Sequence, residues 1–211
     1  MTQFILKLKH WQLFVLMIAL PSIGAMTIMG SMVSSLLTLD PATPEQFSQI
    51  MKSIFIYNLP FSIMATSIQY TWLWAVVKGL QHKIPGDIDL HIKRFNIVFV
   101  STIILLLLLY TLMYIMFSTL FASFPEQSVN PEYFVVFFIT FPVNMAMFGC
   151  SLYLMYFAAQ TLKTVELQHK SGFDKCALEF VLFFFNIVGI WILQPRINKL
   201  MEDPQPLSEI Q

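Results

Sequence analysis

The sequence predicts an all-α integral membrane helical bundle, and three observations carry that prediction. Four long stretches, residues 11–37, 53–77, 95–122 and 133–159, hold no Asp, Glu, Lys, Arg or His. Of the 211 residues, 57% are hydrophobic and 11% charged, with a mean hydropathy of +0.70. The basic residues are shared unequally between alternate loops. A hydrocarbon core of about 30 Å takes about 20 apolar residues at the helical rise. The four stretches hold 27, 25, 28 and 27 residues, so each is long enough to cross with some tilt. Backbone groups in lipid must be paired within the segment, so the spans are helices. None shows the polar face of a soluble helix. The alternating segments of about ten residues that a membrane barrel needs are absent.

Taken in order, the chain opens with Lys7 and Lys9 ahead of the first span, and Trp11 reads as an interfacial anchor. This hydrophobic run is longer than a signal-peptide core and ends at no A-x-A-like site, so cleavage is not expected. The loop after the first span has one basic residue, Lys52, with Asp40 and Glu45; the next has Lys78, Lys83, Lys93 and Arg94. The third loop has only Glu126 and Glu132, and the fourth has Lys163, Lys170 and Lys175. Nine basic residues therefore collect on one side and one on the other, which places the N-terminus in the cytoplasm. Cys150 lies in the fourth span and Cys176 on the cytoplasmic side, so no disulfide is expected.

Three matches recur at a separation of 87 residues. Thr43-Pro44-Glu45-Gln46-Phe47 matches Asn130-Pro131-Glu132-Tyr133-Phe134 in pattern; Leu80-Gln81-His82-Lys83 matches Leu167-Gln168-His169-Lys170; and Asp87 matches Asp174. Residues 1–87, with spans near 11–37 and 44–80, and residues 88–174, with spans near 95–122 and 131–162, read as two parallel helical-hairpin repeats. Shared helix-end chemistry without common ancestry is the competing reading. Thr43 and Asn130 suit N-caps, Pro44 and Pro131 the first helical position, and Glu45 and Glu132 the positive end of the dipole. Asp87 and Asp174 can cap the helices that follow.

A fifth, short hydrophobic segment lies within residues 175–200. Its charge-free run, 180–195, has only 16 residues and is interrupted by Asn186 and Gly189. It is short for a span, so it is either spanning or a re-entrant hairpin, and the hairpin keeps Arg196 and Lys199 on the cytoplasmic side. Residues 201–211 read as a disordered polar tail.

The opening Leu6-Lys7-Leu8-Lys9-His10-Trp11-Gln12-Leu13-Phe14 and the closing Gly189-Ile190-Trp191-Ile192-Leu193-Gln194-Pro195-Arg196-Ile197-Asn198 resemble the ends of small, uncharacterised bacterial polytopic membrane proteins. The resemblance implies a bacterial cytoplasmic (inner) membrane and no activity or catalytic residue.

Few residues offer chemistry. A small-residue stripe on the first span, Gly24, Thr27, Ser31, Ser34 and Thr38, suits close helix packing. The second span carries Asn58, Ser62, Thr66 and Gln69 on one face, and the fourth carries Thr140, Asn144 and Ser151. These suit interhelical hydrogen bonds; alternatively Asn58, Gln69, Asn144 and Ser151 would line a polar site between the repeats. His82 and His169 are repeat-related and could hold a metal or haem iron or sense pH, or serve as interfacial helix-end cations. Asp87, Asp89 and His91 could join such a site. Met26, Met29, Met32, Met113 and Met116 match copper thioether chemistry but equally ordinary packing.

No metalloprotease, nucleophile-elbow, CxxC, Walker A or dinucleotide motif is present, so no enzyme activity and no cofactor is predicted. Basic loops suit anionic headgroups and not nucleic acid in particular. The expected function is a non-enzymatic assembly or accessory membrane protein, in contact with lipid and with a second copy or a membrane protein partner. The alternatives are a small-solute transporter or channel using Gln69 and Asn144, and a lipid- or metal-handling protein using His82 and His169.

Overall fold

The protein is described by a computed structural model covering residues 2–38, 44–122 and 131–202. Two short helices open the chain, α1 (Thr2–Lys7) and α2 (His10–Phe14). A π-helical turn, Val15–Ala19, leads on into α3 (Leu20–Thr38). Two long helices follow a pair of unequal connections: α4 (Pro44–Leu80), a 3-10 turn at Gln81–Lys83, and α5 (Ile92–Ala122). Then come α6 (Pro131–Leu167), α7 (Phe173–Phe184) and α8 (Asn186–Glu202). No strand occurs among the described residues. Three helical stretches, His10–Ser35, Ile92–Leu120 and Phe134–Leu167, are long and apolar enough to cross a membrane. The chain is therefore a helical membrane protein.

Residue types explain where these elements start and bend. Pro44 and Pro131 are the first residues of α4 and α6, where a missing N–H costs nothing. The proposed caps Thr43 and Asn130 lie outside the described residues. The π turn sits directly before Pro21, whose ring would otherwise meet the carbonyl of Met17; the wider turn gives it room. Both α4 and α6 are 37 residues long, with bounds at the 87-residue separation seen in the sequence.

The second expected span, α4, is long enough but is not among the three helices apolar enough to cross by composition. Asn58, Ser62, Thr66 and Gln69 dilute its apolar character. Its C-terminal half faces protein: Trp72, Leu73, Ala75, Val76 and Leu80 are all buried. A helix covered by its neighbours need not be apolar all round.

Packing follows the chain: α3 lies along α4, α5 along α6, and α4 against α6. The core occupies the half of the bundle toward the C-terminal ends of α4 and α6, where Phe95 stacks on Phe157 at 5.0 Å beside buried Leu154, Ala158 and Leu162. In the opposite half, among the described residues, only Ser48, Thr140 and Met147 are buried.

Two capping expectations are corrected. Helix α5 begins at Ile92, too far on for Asp87; Asp89 makes the local turn instead, accepting the His91 N–H at 2.7 Å. Gly172 is the N-cap of α7, and Asp174 lies in the first turn, where the dipole favours it. The fifth hydrophobic segment breaks at Phe185 (φ −90°, ψ 69°), between α7 and α8. Glu179 on α7 and Arg196 on α8 are nonetheless 2.7 Å apart, so α8 folds back along α7. Gly189 makes this possible, because a Cβ there would overlap the Leu182 carbonyl. Helix α8 runs to Glu202, and the rest of the expected tail lies outside the described residues.

Candidate functional site

The two ends of the chain meet at the end of the bundle where α4 and α6 finish, and Gln194 joins them. Its Oε1 accepts the indole N–H of Trp72 on α4 at 2.9 Å. Its Nε2 donates to the carbonyls of Leu6 at 3.1 Å and Leu8 at 2.9 Å, where the chain turns between α1 and α2. Asn198, one turn on, donates to the Leu8 carbonyl at 3.3 Å. Gln194 and Trp72 are fully buried. Trp191 lies against His10 and Phe14, with ring centroids 4.7 Å and 5.7 Å apart. The two segments that carried the sequence resemblance are thus one packed unit. Carbonyls released where helix α1 ends find donors on α8, which meets the requirement that buried backbone groups be paired.

Beside this junction lies a ring of four charges from three helices. Arg196 grips Glu166 with two bonds, Nε to Oε1 at 2.9 Å and Nη2 to Oε2 at 2.6 Å. It also reaches Glu179 at 2.7 Å. Lys163 donates to Glu179 at 3.1 Å and lies 3.6 Å from Glu166. Two cations and two carboxylates leave no net charge, which suits a site where Glu179 is 1% exposed. Burial alone would raise the Glu179 carboxyl, but hydrogen bonds from Arg196, the backbone and Lys163 outweigh it and hold the group below the usual carboxylate range. Burial would lower the Arg196 guanidinium, and the two carboxylates reverse that. Burial, reinforced by the Glu179 charge, pushes the Cys176 thiol up, so it is a poor nucleophile. Glu179 Oε2, Ser171 Oγ and Asn186 Oδ1 are buried without a hydrogen-bond partner among the described residues. The ring fixes α6, α7 and α8 against one another, and its groups are compensated instead of poised to react.

The residues anticipated from sequence fall in several places. Ser151 bonds the Tyr70 hydroxyl at 2.6 Å, tying α4 to α6. Asn58 turns back to the Ile54 carbonyl at 2.8 Å. Ser62 and Thr66 each lie 3.1 Å from the Tyr110 hydroxyl on α5. Gln69 is half-buried on α4, whereas Asn144 is exposed on α6. His82 and His169 are both exposed, and His169 sits 3.0 Å from the Lys175 ammonium, a poor neighbour for a metal cation. Among the described residues, no group of three or more His, Cys, Asp or Glu could hold a metal ion. Gly24 packs on the Phe61 ring of α4, while Thr27, Ser31 and Ser34 are exposed.

Sequence reasoning passed over the residues that bind this end of the bundle together. Gln194, Arg196 and Glu179 were present as a Gln-Pro-Arg and a lone Glu at the edges of an apolar run, and polar groups in such runs require partners. Their partners Trp72 and Glu166 lie far away in the chain, and no local spacing marks them. No family model, no curated protein and no solved structure matches this chain.

Proposed function

We propose a non-enzymatic assembly or accessory protein of a bacterial inner membrane that works by association, with itself or with a partner complex. In this reading its N-terminal end is cytoplasmic, and four crossing helices form two hairpin repeats, residues 1–87 and 88–174. The shared length and spacing of α4 and α6 support the repeat, and the nine-to-one division of basic residues supports the orientation.

One observation carries the functional reading. Asn144 stands exposed within a helix apolar enough to cross the membrane, among exposed Phe141, Met145 and Phe148. An amide in hydrocarbon is costly, and polar side chains in membranes face other protein. The outer half of α3 presents the complementary feature. Thr27 and Ser31 turn their hydroxyls onto their own helix, and a Cβ on Gly30 would meet nothing within 4 Å. Small open faces let helices approach closely, with interhelical hydrogen bonds contributing about 0.6 kcal/mol each.

The two glycines separate folding from association. Gly30→Leu should leave the monomer helical and folded but abolish the assembled species in cross-linking of intact membranes. Gly24→Leu should disturb the monomer itself, because its side chain would overlap Phe61. Wild-type assembly by both Gly30→Leu and Asn144→Leu would sink the proposal.

A further inference from the structure

We propose that α7 and α8 form a re-entrant hairpin whose bend lies among the acyl chains of the leaflet at which α4 and α6 end. Both ends of this chain then lie on one face of the membrane. The inference rests on the membrane-spanning reading of the long helices, and it is independent of association.

Geometry fixes the direction of the two legs. Glu179 and Arg196 are 17 residues apart, which in one straight helix is about 25 Å. They are ion-paired at 2.7 Å, so the legs run antiparallel. Both charges also join Lys163 and Glu166, in the last two turns of α6. The open end of the hairpin is therefore level with the end of a membrane-crossing helix. Asp174, Lys175, Glu179, Arg196 and Lys199 all lie toward that end, and the run between 180 and 195 carries no charge.

Depth follows from helical rise. From Glu179 to the bend at Phe185 is six residues, about 9 Å, and from the bend to Arg196 is eleven, about 16 Å. One leaflet contributes about 15 Å of hydrocarbon, so the bend reaches into a leaflet and stops there. Trp72 gives the same depth by another route. It lies eight residues, about 12 Å, from the inner end of α4, and its ring meets Phe183, just before the bend, at 5.1 Å.

The surface and the backbone at the bend both suit lipid. Val181, Phe184, Phe185, Ile187, Val188 and Ile192 are exposed. The Phe185 N–H bonds Val181 at 2.9 Å, and the Phe185 carbonyl accepts from Val188 at 3.1 Å and Gly189 at 2.8 Å. Phe185 at the break thus keeps both of its backbone hydrogen bonds, which lowers the cost of placing it in hydrocarbon, while the neighbouring Asn186 Oδ1 is buried without a partner among the described residues.

The test uses the full-length chain in membrane vesicles of known orientation, with two readouts. Protease-cleavable tags at the two termini should be cut from the same face. Photoreactive benzoyl-phenylalanine in place of Phe185 should gain the mass of a phospholipid, as should the same residue in place of Leu107, an exposed control on α5. Tags cut from opposite faces would make the segment a span and overturn the proposal. So would an adduct at position 185 to a second copy or another protein, or no lipid adduct there while position 107 gives one. A monomeric protein still answers both questions, so loss of association leaves this test intact.

Discussion

At the scale of single residues, polar side chains in this protein act as ties between helices. Gln194 uses both ends of its amide on partners more than a hundred residues away, Trp72 on one side and the Leu6 and Leu8 carbonyls on the other. Replacing it by Leu keeps the volume but leaves the Trp72 N–H and the Leu6 carbonyl buried without partners, while Asn198 still serves the Leu8 carbonyl. Each such group costs about 1–3 kcal/mol, so Gln194→Leu should lower the thermal midpoint of helix loss clearly, whereas Trp72→Phe should lower it less. An unchanged midpoint for Gln194→Leu would remove the junction from the account. These ties were partly legible in the sequence. The polar stripe of α4 was visible as a face, and two of its members, Ser62 and Thr66, do meet Tyr110. Tyr110, Tyr70 and Trp72 were invisible as partners, because an amphipathic aromatic in an apolar helix looks like any other apolar residue until its neighbours are known.

At the scale of elements, boundaries set by local chemistry were readable and those set by tertiary contact were not. Proline at the first helical position gives the starts of α4 and α6 directly. Asn186 and Gly189 signalled an interruption near the middle of the last apolar run, and the helix breaks at Phe185. Sequence left its direction open, since both a span and a hairpin fit 16 apolar residues. The choice lies in Arg196, which pairs backward with Glu179 and across to Glu166. Gly189 is the hinge of that arrangement: an added methyl would overlap the Leu182 carbonyl and force the legs apart. Gly189→Ala should cost about 1–3 kcal/mol by overpacking and loosen the Arg196 pairs. Trypsin should then cut after Arg196 faster in bilayers than it cuts the wild type. Equal cleavage rates would show that the legs need no close approach.

At the scale of the whole molecule, burial is concentrated at one end. The C-terminal halves of α4 and α6 share a core with α1, α7 and α8, closed by the Gln194 junction and the four-charge ring. The opposite end buries little among the described residues and leaves Asn144, Thr27 and Ser31 exposed. Hydropathy and charge division made the membrane class legible; this asymmetry was not, because it depends on which residues far apart in the chain come together. We propose that a bundle tied at one end and open at the other receives another helix, and that is the central claim. Native mass spectrometry of the wild-type protein, extracted gently from its source membrane, tests it most directly. The account predicts a stoichiometric complex with a second copy or a partner protein. A lone monomer retaining a defined small molecule or metal would contradict it and return Gln69 with Asn144, or His82 with His169, to the centre of the problem.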